Sequence, residues 1–373
     1  MRESFRKERH EESIHCTSVQ RIESVKTTTP AVPIDVWKNL YSAAAKFSSL
    51  RPWEKLHGLD LIAVRDSSTG EAGYGAVMGS GGTLFGFCSY RGAEGFDFYR
   101  RLINGEIDPE AEELFAMQNC LKLEFGPRSA LWAEDHAVIR QLGLSFKGKH
   151  AWPEFRSFLP GYAPWFFTEV EARLFTLALD AACHHLEKVK KGETEESLRD
   201  NECLVYSVVG GSSAQYNARW EPWPILAPAP IAVPILNLAR INAILAKKPK
   251  VDSPWEADVF YLPSTIHDRE RPYFMRLVVV CQQSSGFVFM AEPSLPEPSV
   301  PQLLADAICS SIERHGFLPE TIFMKRREEA AALAPLARAL GITTRVKKKL
   351  DAVQMLKEDM MERLAYGGGR GRR

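Results

Sequence analysis

Residues 59–92 constrain the fold more than any other part of the sequence. Apolar and aromatic runs alternate there with two polar turns, at residues 67–71 and 79–82, that both contain glycine. Short runs of this kind joined by glycine-containing turns are typical of antiparallel strands connected by hairpins. The segment therefore predicts a three-stranded meander, an architecture that carries no catalytic constellation of its own.

Helical patterns flank this meander and alternate with strands in the last hundred residues. Asp35 is placed to cap a first helix, and the capping box that starts at Thr168 predicts a long helix ending near Gly192. Residues 275–291 read as a hairpin, and a helix is expected from Ser299 to Gly316. The predicted fold class is α+β, an N-terminal meander with flanking helices followed by a C-terminal α/β unit in the order hairpin, helix, strand, helix, strand, helix.

The length of 373 residues suits about two domains, at roughly 150 residues each. Low apolar content at the N-terminus and a run of prolines in the middle of the chain suggest where the folded parts begin and end. The predicted segments are a disordered extension (1–33), an N-terminal α+β domain (34–192), a Pro-rich connecting region with some strands (193–270), a C-terminal α/β domain (271–365) and a flexible Arg/Gly tail (366–373).

Charge and cysteine content exclude several classes of function. Lysine plus arginine and aspartate plus glutamate both number 47, so attraction to a polyanion has to come from a local cluster. The seven cysteines are scattered without a CxxC pair, and the nine histidines have no partner at ligand spacing. No run approaches the ~18 apolar residues of a membrane span. We expect a cytoplasmic protein with no membrane association, no metal and no cofactor.

Two stretches carry a family resemblance. They are the sequence Arg51-Pro52-Trp53-Glu54, together with residues 60–64 and 90–92, and the aromatic segment at 152–157 and 160–166. Over residues 35–360 the chain resembles a bacterial family of two-domain proteins of unknown function. The resemblance implies one α+β unit followed by a distinct C-terminal unit, and it implies no activity.

The predicted C-terminal order is also similar to that of a degenerate ribonuclease H or integrase core. Active cores of that kind hold metal ions between a carboxylate on the first strand and another at the end of the strand that follows the helix. The matching positions here are Cys281 or Gln282 and Lys325. These residues argue against metal-dependent nuclease activity.

A basic cluster provides the leading functional hypothesis, a non-catalytic binding protein for nucleic acid or another polyanion. If the strands at 321–324 and 342–346 are parallel neighbours, their carboxyl ends meet at one edge of a sheet, where open α/β sheets bind ligands. The residues brought together there are Lys325, Arg326, Arg327, Arg345, Lys347, Lys348 and Lys349.

Two alternatives stay open at this point. One is an enzyme of unrecognised, hydrolase-like type with a site between the domains, formed by Trp53, Glu54, Arg91, Arg156 and Trp165, in which the arginines would hold an anion. The other is an assembly protein that docks a protein partner on the Pro-rich segment 219–234.

Overall fold

The computed structural model describes residues 29–56, 60–107, 113–193, 198–199, 201–209, 215–226 and 232–367. Most of the predicted extension (1–33) and tail (366–373) lies outside these ranges. The chain divides into a first unit, Met1–Ala227 with His267–Pro272, and a second unit, Pro228–Ile266 with Tyr273–Arg373.

The first unit is built on an eight-stranded sheet. Its antiparallel meander contains the three predicted strands, which are confirmed, and two more; the five are β1 (Ile62–Arg65), β2 (Ala72–Met78), β3 (Phe85–Arg91), β4 (Cys120–Gly126) and β5 (Trp152–Phe158). β7 (Glu202–Val209) pairs in parallel with β1, and β6 (Leu198–Arg199) and β8 (Gln215–Pro222) pair with β7.

Helices cover both faces of this sheet. They are α1 (Ile34–Ser49), α2 (Gly92–Ile103), α3 (Ala133–Gln141) and α4 (Glu169–Lys190). Ile62 and Val64 point into the core shared with α1 and α4, whereas Leu61 and Ala63 point to the core beneath α2, as the alternation of a strand requires. The capping box at Thr168 is confirmed. Asp35 was predicted to cap α1 but lies in its first turn, because the helix begins directly after Pro33.

The elements of the second unit are α5 (Leu238–Ala246), β9 (Lys250–Asp252), β10 (Trp255–Ile266), β11 (Tyr273–Gln282), β12 (Val288–Ser294), α6 (Val300–His315), β13 (Phe317–Pro319), β14 (Thr321–Met324), α7 (Arg327–Ala332), α8 (Ala334–Leu340), β15 (Thr343–Val346) and α9 (Asp351–Gly367). Five of the strands form a sheet in the order β12-β11-β10-β14-β15, and the short strands β9 and β13 form a separate pair. The predicted hairpin is confirmed as β11 and β12, and Ser299 and Gly316 cap α6 as expected.

Alternating residues of the central strand β10 face two separate cores. Trp255, Ala257 and Val259 pack with α6 and α8, while Phe260 and Leu262 pack with α9. The unit is therefore a sheet between two helical layers, and the fold class of the chain is α+β, as predicted. Among the described helices, none is both long and apolar enough to cross a membrane.

The region predicted to connect the domains, 193–270, contributes elements to both units. β7 and β8 belong to the first sheet, whereas α5, β9 and β10 belong to the second unit. The place of β10 was not expected, because Glu256 and Asp258 interrupt its apolar run and yet both are buried.

Candidate nucleic-acid interface

The carboxyl ends of β14 and β15 lie side by side. The two strands are parallel neighbours, as predicted, with Met324 opposite Val346. The backbone N–H of Lys347 donates to the Met324 carbonyl at 2.9 Å, which continues the pairing one residue beyond β15. The chain thus leaves both strands at the same sheet edge. We call the seven predicted cations at this place the basic edge (Lys325, Arg326, Arg327, Arg345, Lys347, Lys348 and Lys349).

Three members of the basic edge are held by carboxylates. Lys347 Nζ lies 3.2 Å from Glu256 Oε1 and 2.8 Å from Asp351 Oδ2, and these partners raise the pKa of the lysine. Lys349 Nζ lies 3.7 Å from the other oxygen of Asp351. Arg326 lies 2.6 Å from Glu329. These three side chains contribute little free positive charge.

The other four members are free to meet a ligand. Lys325, Arg327, Arg345 and Lys348 are exposed, and within the described residues none of their side chains has an ion-pair or hydrogen-bond partner. Two of them follow the inner strand β14, and the other two belong to the edge strand β15 or follow it. The arrangement can therefore neutralise several phosphates at one place.

Glu256 explains why Lys347 is not free. Its carboxylate is fully buried on β10, and Oε2 accepts hydrogen bonds from the backbone N–H groups of Ala352 at 2.8 Å and Val353 at 3.3 Å. An acidic group at this position stabilises the N-terminus of α9. Lys347 balances the buried charge, so the lysine serves the fold. Sequence reasoning missed Glu256, since the residue fell in the predicted connecting region.

β10 also corrects the comparison with a ribonuclease H core. β10 leads the three-stranded antiparallel part of the sheet, so the first-strand carboxylates to consider are Glu256 and Asp258, and Cys281 and Gln282 belong to the second strand. Both oxygens of Glu256 are occupied by Lys347 and the α9 amides, and Lys325 still ends β14. Across the described ranges, no group of three or more histidine, cysteine, aspartate or glutamate side chains is placed to hold a metal ion.

The residues proposed for an enzymatic pocket all lie in the first unit, and each has structural partners there. The ring of Trp53 packs 4.9 Å from that of Phe85, and Glu54 pairs with Arg51 at 2.6 Å. Arg91, half-buried at the end of β3, donates to Glu171 at 2.7 Å. The Arg91 side chain thus ties β3 to the start of α4.

Arg156 is the most deeply buried of these pocket residues. Its guanidinium donates to both oxygens of Asp135, at 2.9 and 2.6 Å, and stacks 4.4 Å from the ring centroid of Trp132. Burial alone would lower the pKa of Arg156, but Asp135 and Glu154 hold it above its usual value. Trp165 packs against the same Trp132 ring at 5.8 Å. Arg156 is therefore already neutralised within the protein and has no unused donor pair to offer an anion.

Comparisons with known proteins agree with a two-domain chain. A family model described as Domain of unknown function (DUF7309) matches residues 37–206, and a second, Domain of unknown function (DUF6930), matches residues 242–361. No curated protein matches the chain. A crystal structure of the catalytic core domain of BIV integrase is similar at 20% identity over 32% of this chain and 74% of that chain, with a TM-score of 0.24. The chain thus combines two domains that both match families of unknown function.

Proposed function

We propose that the protein is a non-catalytic binding protein whose basic edge contacts the phosphates of a nucleic acid. The observation that supports this most is the convergence of four exposed, unpartnered cations, Lys325, Arg327, Arg345 and Lys348, at the carboxyl ends of two parallel strands. In a chain whose acidic and basic residues are equal in number, this is a local surplus of positive charge.

Protection of an exposed sheet edge would explain only part of the cluster. Lysine and arginine on an edge strand discourage pairing with other chains, and Arg345 and Lys348 are placed for that role. Lys325 and Arg327 instead follow β14, which is an inner strand with neighbours on both sides. A negatively charged ligand accounts for all four cations, because phosphates attract every exposed cation within reach.

Salt-dependent binding of the full chain tests the proposal. The fluorescence anisotropy of labelled single-stranded DNA, duplex DNA and RNA would be measured with increasing salt, for the native protein and for the triple variant Lys325→Glu, Arg327→Glu, Lys348→Glu. Contacts with about four phosphates predict a log–log salt slope of roughly −3 to −4. We expect the variant to lose this binding.

A matched control separates the basic edge from net charge. Lys55, Lys147 and Lys149 are exposed and unpaired among the described residues of the first unit, and their reversal to glutamate changes the net charge by the same amount. The control variant is expected to bind like the native protein. Absence of binding at low salt, or equal losses in both variants, would refute the proposal.

We also propose four further features that the sequence predicts. They are the cytoplasmic location, the bacterial family, the domain limits at 34–192 and 271–365 and a protein partner on segment 219–234, of which residues 227–231 lie outside the described ranges. The hydrolase-like alternative gains no support, since Arg91 and Arg156 are bound to Glu171 and Asp135.

A further inference from the structure

A second surface of the second unit presents aromatic rings to solvent. Phe287 is 52% exposed and Phe317 is 38% exposed, although both are large apolar side chains. Phe289 and His315 lie between them. The ring centroid of Phe289 is 5.1 Å from that of Phe287 and 6.5 Å from that of Phe317. We call these four residues the aromatic patch.

The aromatic patch is held firmly from below. Phe289 is buried, and its ring centroid lies 4.2 Å from that of Trp255 in the core beneath α6. The Nε2 atom of His315 lies 3.2 Å from the Phe289 carbonyl oxygen, which fixes the imidazole ring. The two outer rings rest on fixed neighbours. A ligand that stacks on them therefore loses little free energy to the ordering of side chains.

A lysine-rich segment leads into the short strand that pairs with Phe317. Lys247, Lys248 and Lys250 follow α5, and all three are exposed without an ion pair among the described residues. Lys250 lies directly opposite Phe317 in the parallel pairing of β9 with β13. No compact motif in the sequence marks this cluster, because Pro249 separates the lysines and their aromatic neighbours are distant in sequence.

Most nearby acidic side chains are already occupied. Glu313 is paired with Arg240 at 2.6 Å, and Glu292 with Arg314 at 2.8 Å. Asp252 accepts from the indole N–H of Trp255 at 2.7 Å. Glu320 is exposed, and its backbone N–H donates to the Asp252 carbonyl at 3.3 Å. Against the charges of Asp252 and Glu320 stand three lysines, which leaves a surplus of one positive charge.

We infer that the aromatic patch stacks the unpaired bases of a single-stranded nucleic acid while the three lysines contact its phosphates. Exposed rings beside cations are the recurring arrangement for binding single strands without sequence preference, since every base has a stacking face. A duplex keeps its bases stacked inside and cannot use these rings. The inference takes its ligand class from the proposed function and adds that the preferred form is single-stranded.

A pair of double variants of the full chain tests the role of the rings. Phe287→Leu with Phe317→Leu keeps apolar side chains but removes both rings, whereas Phe287→Tyr with Phe317→Tyr keeps the rings. The leucine variant is expected to bind an oligothymidine strand about tenfold more weakly than the native protein and a duplex equally well. The tyrosine variant is expected to keep the native affinity for both.

Photocrosslinking gives a readout that does not depend on substitution. An oligonucleotide carrying 5-iodouracil would be irradiated with the native protein, and the crosslinked peptides identified by mass spectrometry. Crosslinks at Phe287 or Phe317 are expected. Crosslinks confined to other regions, or a leucine variant that binds single strands like the native protein, would overturn the inference.

These results distinguish failure of this inference from failure of the proposed function. If the native protein binds no nucleic acid at low salt, both are wrong. If it binds, loses binding on charge reversal of Lys325, Arg327 and Lys348, and is unaffected by loss of the two rings, the proposed function stands and the role of the aromatic patch is wrong.

Discussion

Arg156 in the first unit and the basic edge in the second unit show two opposite ways to place a cation. The Arg156 side chain is 7% exposed and contacts Asp135, Glu154 and two aromatic rings. Lys325 and Arg327 are exposed without partners among the described residues. An arginine cannot give up its proton in a protein, so a buried guanidinium needs acceptors, which for Arg156 are carboxylates, whereas water alone supports an exposed lysine. The contacts of a cation, more than its residue type, therefore indicate whether it serves the fold or is available to a ligand.

Lys347 lies between these two extremes. Its side chain is 30% exposed and its ammonium group binds the fully buried Glu256. By its position Lys347 is a member of the basic edge, but its contact with Glu256 stabilises the fold. The comparison thus predicts a gradation. Removal of a charged group should lower the free energy of unfolding less when the group is more exposed.

The largest expected effect comes from breaking the Arg156 pair. Arg156→Met should lower the free energy of unfolding by about 3–5 kcal/mol, because the buried charge of Asp135 would lose its cation and keep only the Trp132 backbone N–H as a partner. Denaturant unfolding of the variant and the native protein measures this. Arg173→Met, which removes an exposed pair with Glu169, is the control and should cost less than about 1 kcal/mol. Equal losses of unfolding free energy in the two variants would contradict the view that a buried cation serves the fold more than an exposed one.

His185 sharpens the comparison, since it is a buried basic group that can lose its proton. It is fully buried, its Nδ1 lies 2.8 Å from the Tyr206 hydroxyl, and burial lowers its pKa to about 4, with Asp60 opposing the shift. Because the pKa is lower in the folded state, the unfolded state binds more protons between pH 6.5 and 4. The contribution of His185 to the free energy of unfolding is therefore fully present above about pH 6.5. It is lost as the pH falls, by about 3 kcal/mol on reaching pH 4.

His185→Gln tests this assignment, because the amide can still bind Tyr206 but does not titrate. The difference in unfolding free energy between pH 7 and pH 4 should be smaller for the variant than for the native protein by most of that amount. The same pH dependence in both proteins would mean that other groups dominate acid unfolding.

Local signals in the sequence were enough for much of the fold. The meander follows from short apolar runs and glycine turns, and α6 follows from a serine cap and a terminal glycine; each signal lies within its element or next to it. β10 escaped prediction because Glu256 is stabilised by Lys347 and by the first turn of α9, almost a hundred residues further along. Contacts at such separation leave no periodic pattern in the sequence.

The same limit applies to the candidate site. Parallel pairing of β14 and β15 could be foreseen from two strands joined by a helical segment. The pairing of Arg326 with Glu329, and of Lys347 with Glu256, separates bound from free cations within the basic edge. Glu329 lies three residues after Arg326, so that pair fits helical spacing, but the contact of Lys347 with Glu256, 91 residues away, is visible only in three dimensions.

A smaller effect is expected at Glu256. Glu256→Gln keeps the shape of the side chain but removes the charge that Lys347 and the α9 amides contact. The loss of charge-assisted hydrogen bonds should cost about 1–3 kcal/mol of unfolding free energy. Hydrogen exchange should show the first turn of α9 opening more readily than the rest of the unit. Unchanged protection of that turn would mean that α9 is held by its apolar face alone.

The smallest effect on stability is expected where the effect on binding is largest. Lys325→Gln with Lys348→Gln removes two exposed, unpartnered charges and should change the free energy of unfolding by less than about 0.5 kcal/mol, while weakening the binding of nucleic acid. Lys347→Gln, which leaves Glu256 buried without its cation, should do the reverse and lower the unfolding midpoint while changing the salt slope of binding less. Thermal unfolding and anisotropy on the same preparations compare the two. A loss of stability in the double variant would place these lysines in the fold, and the available charge of the basic edge would then reduce to Arg327 and Arg345.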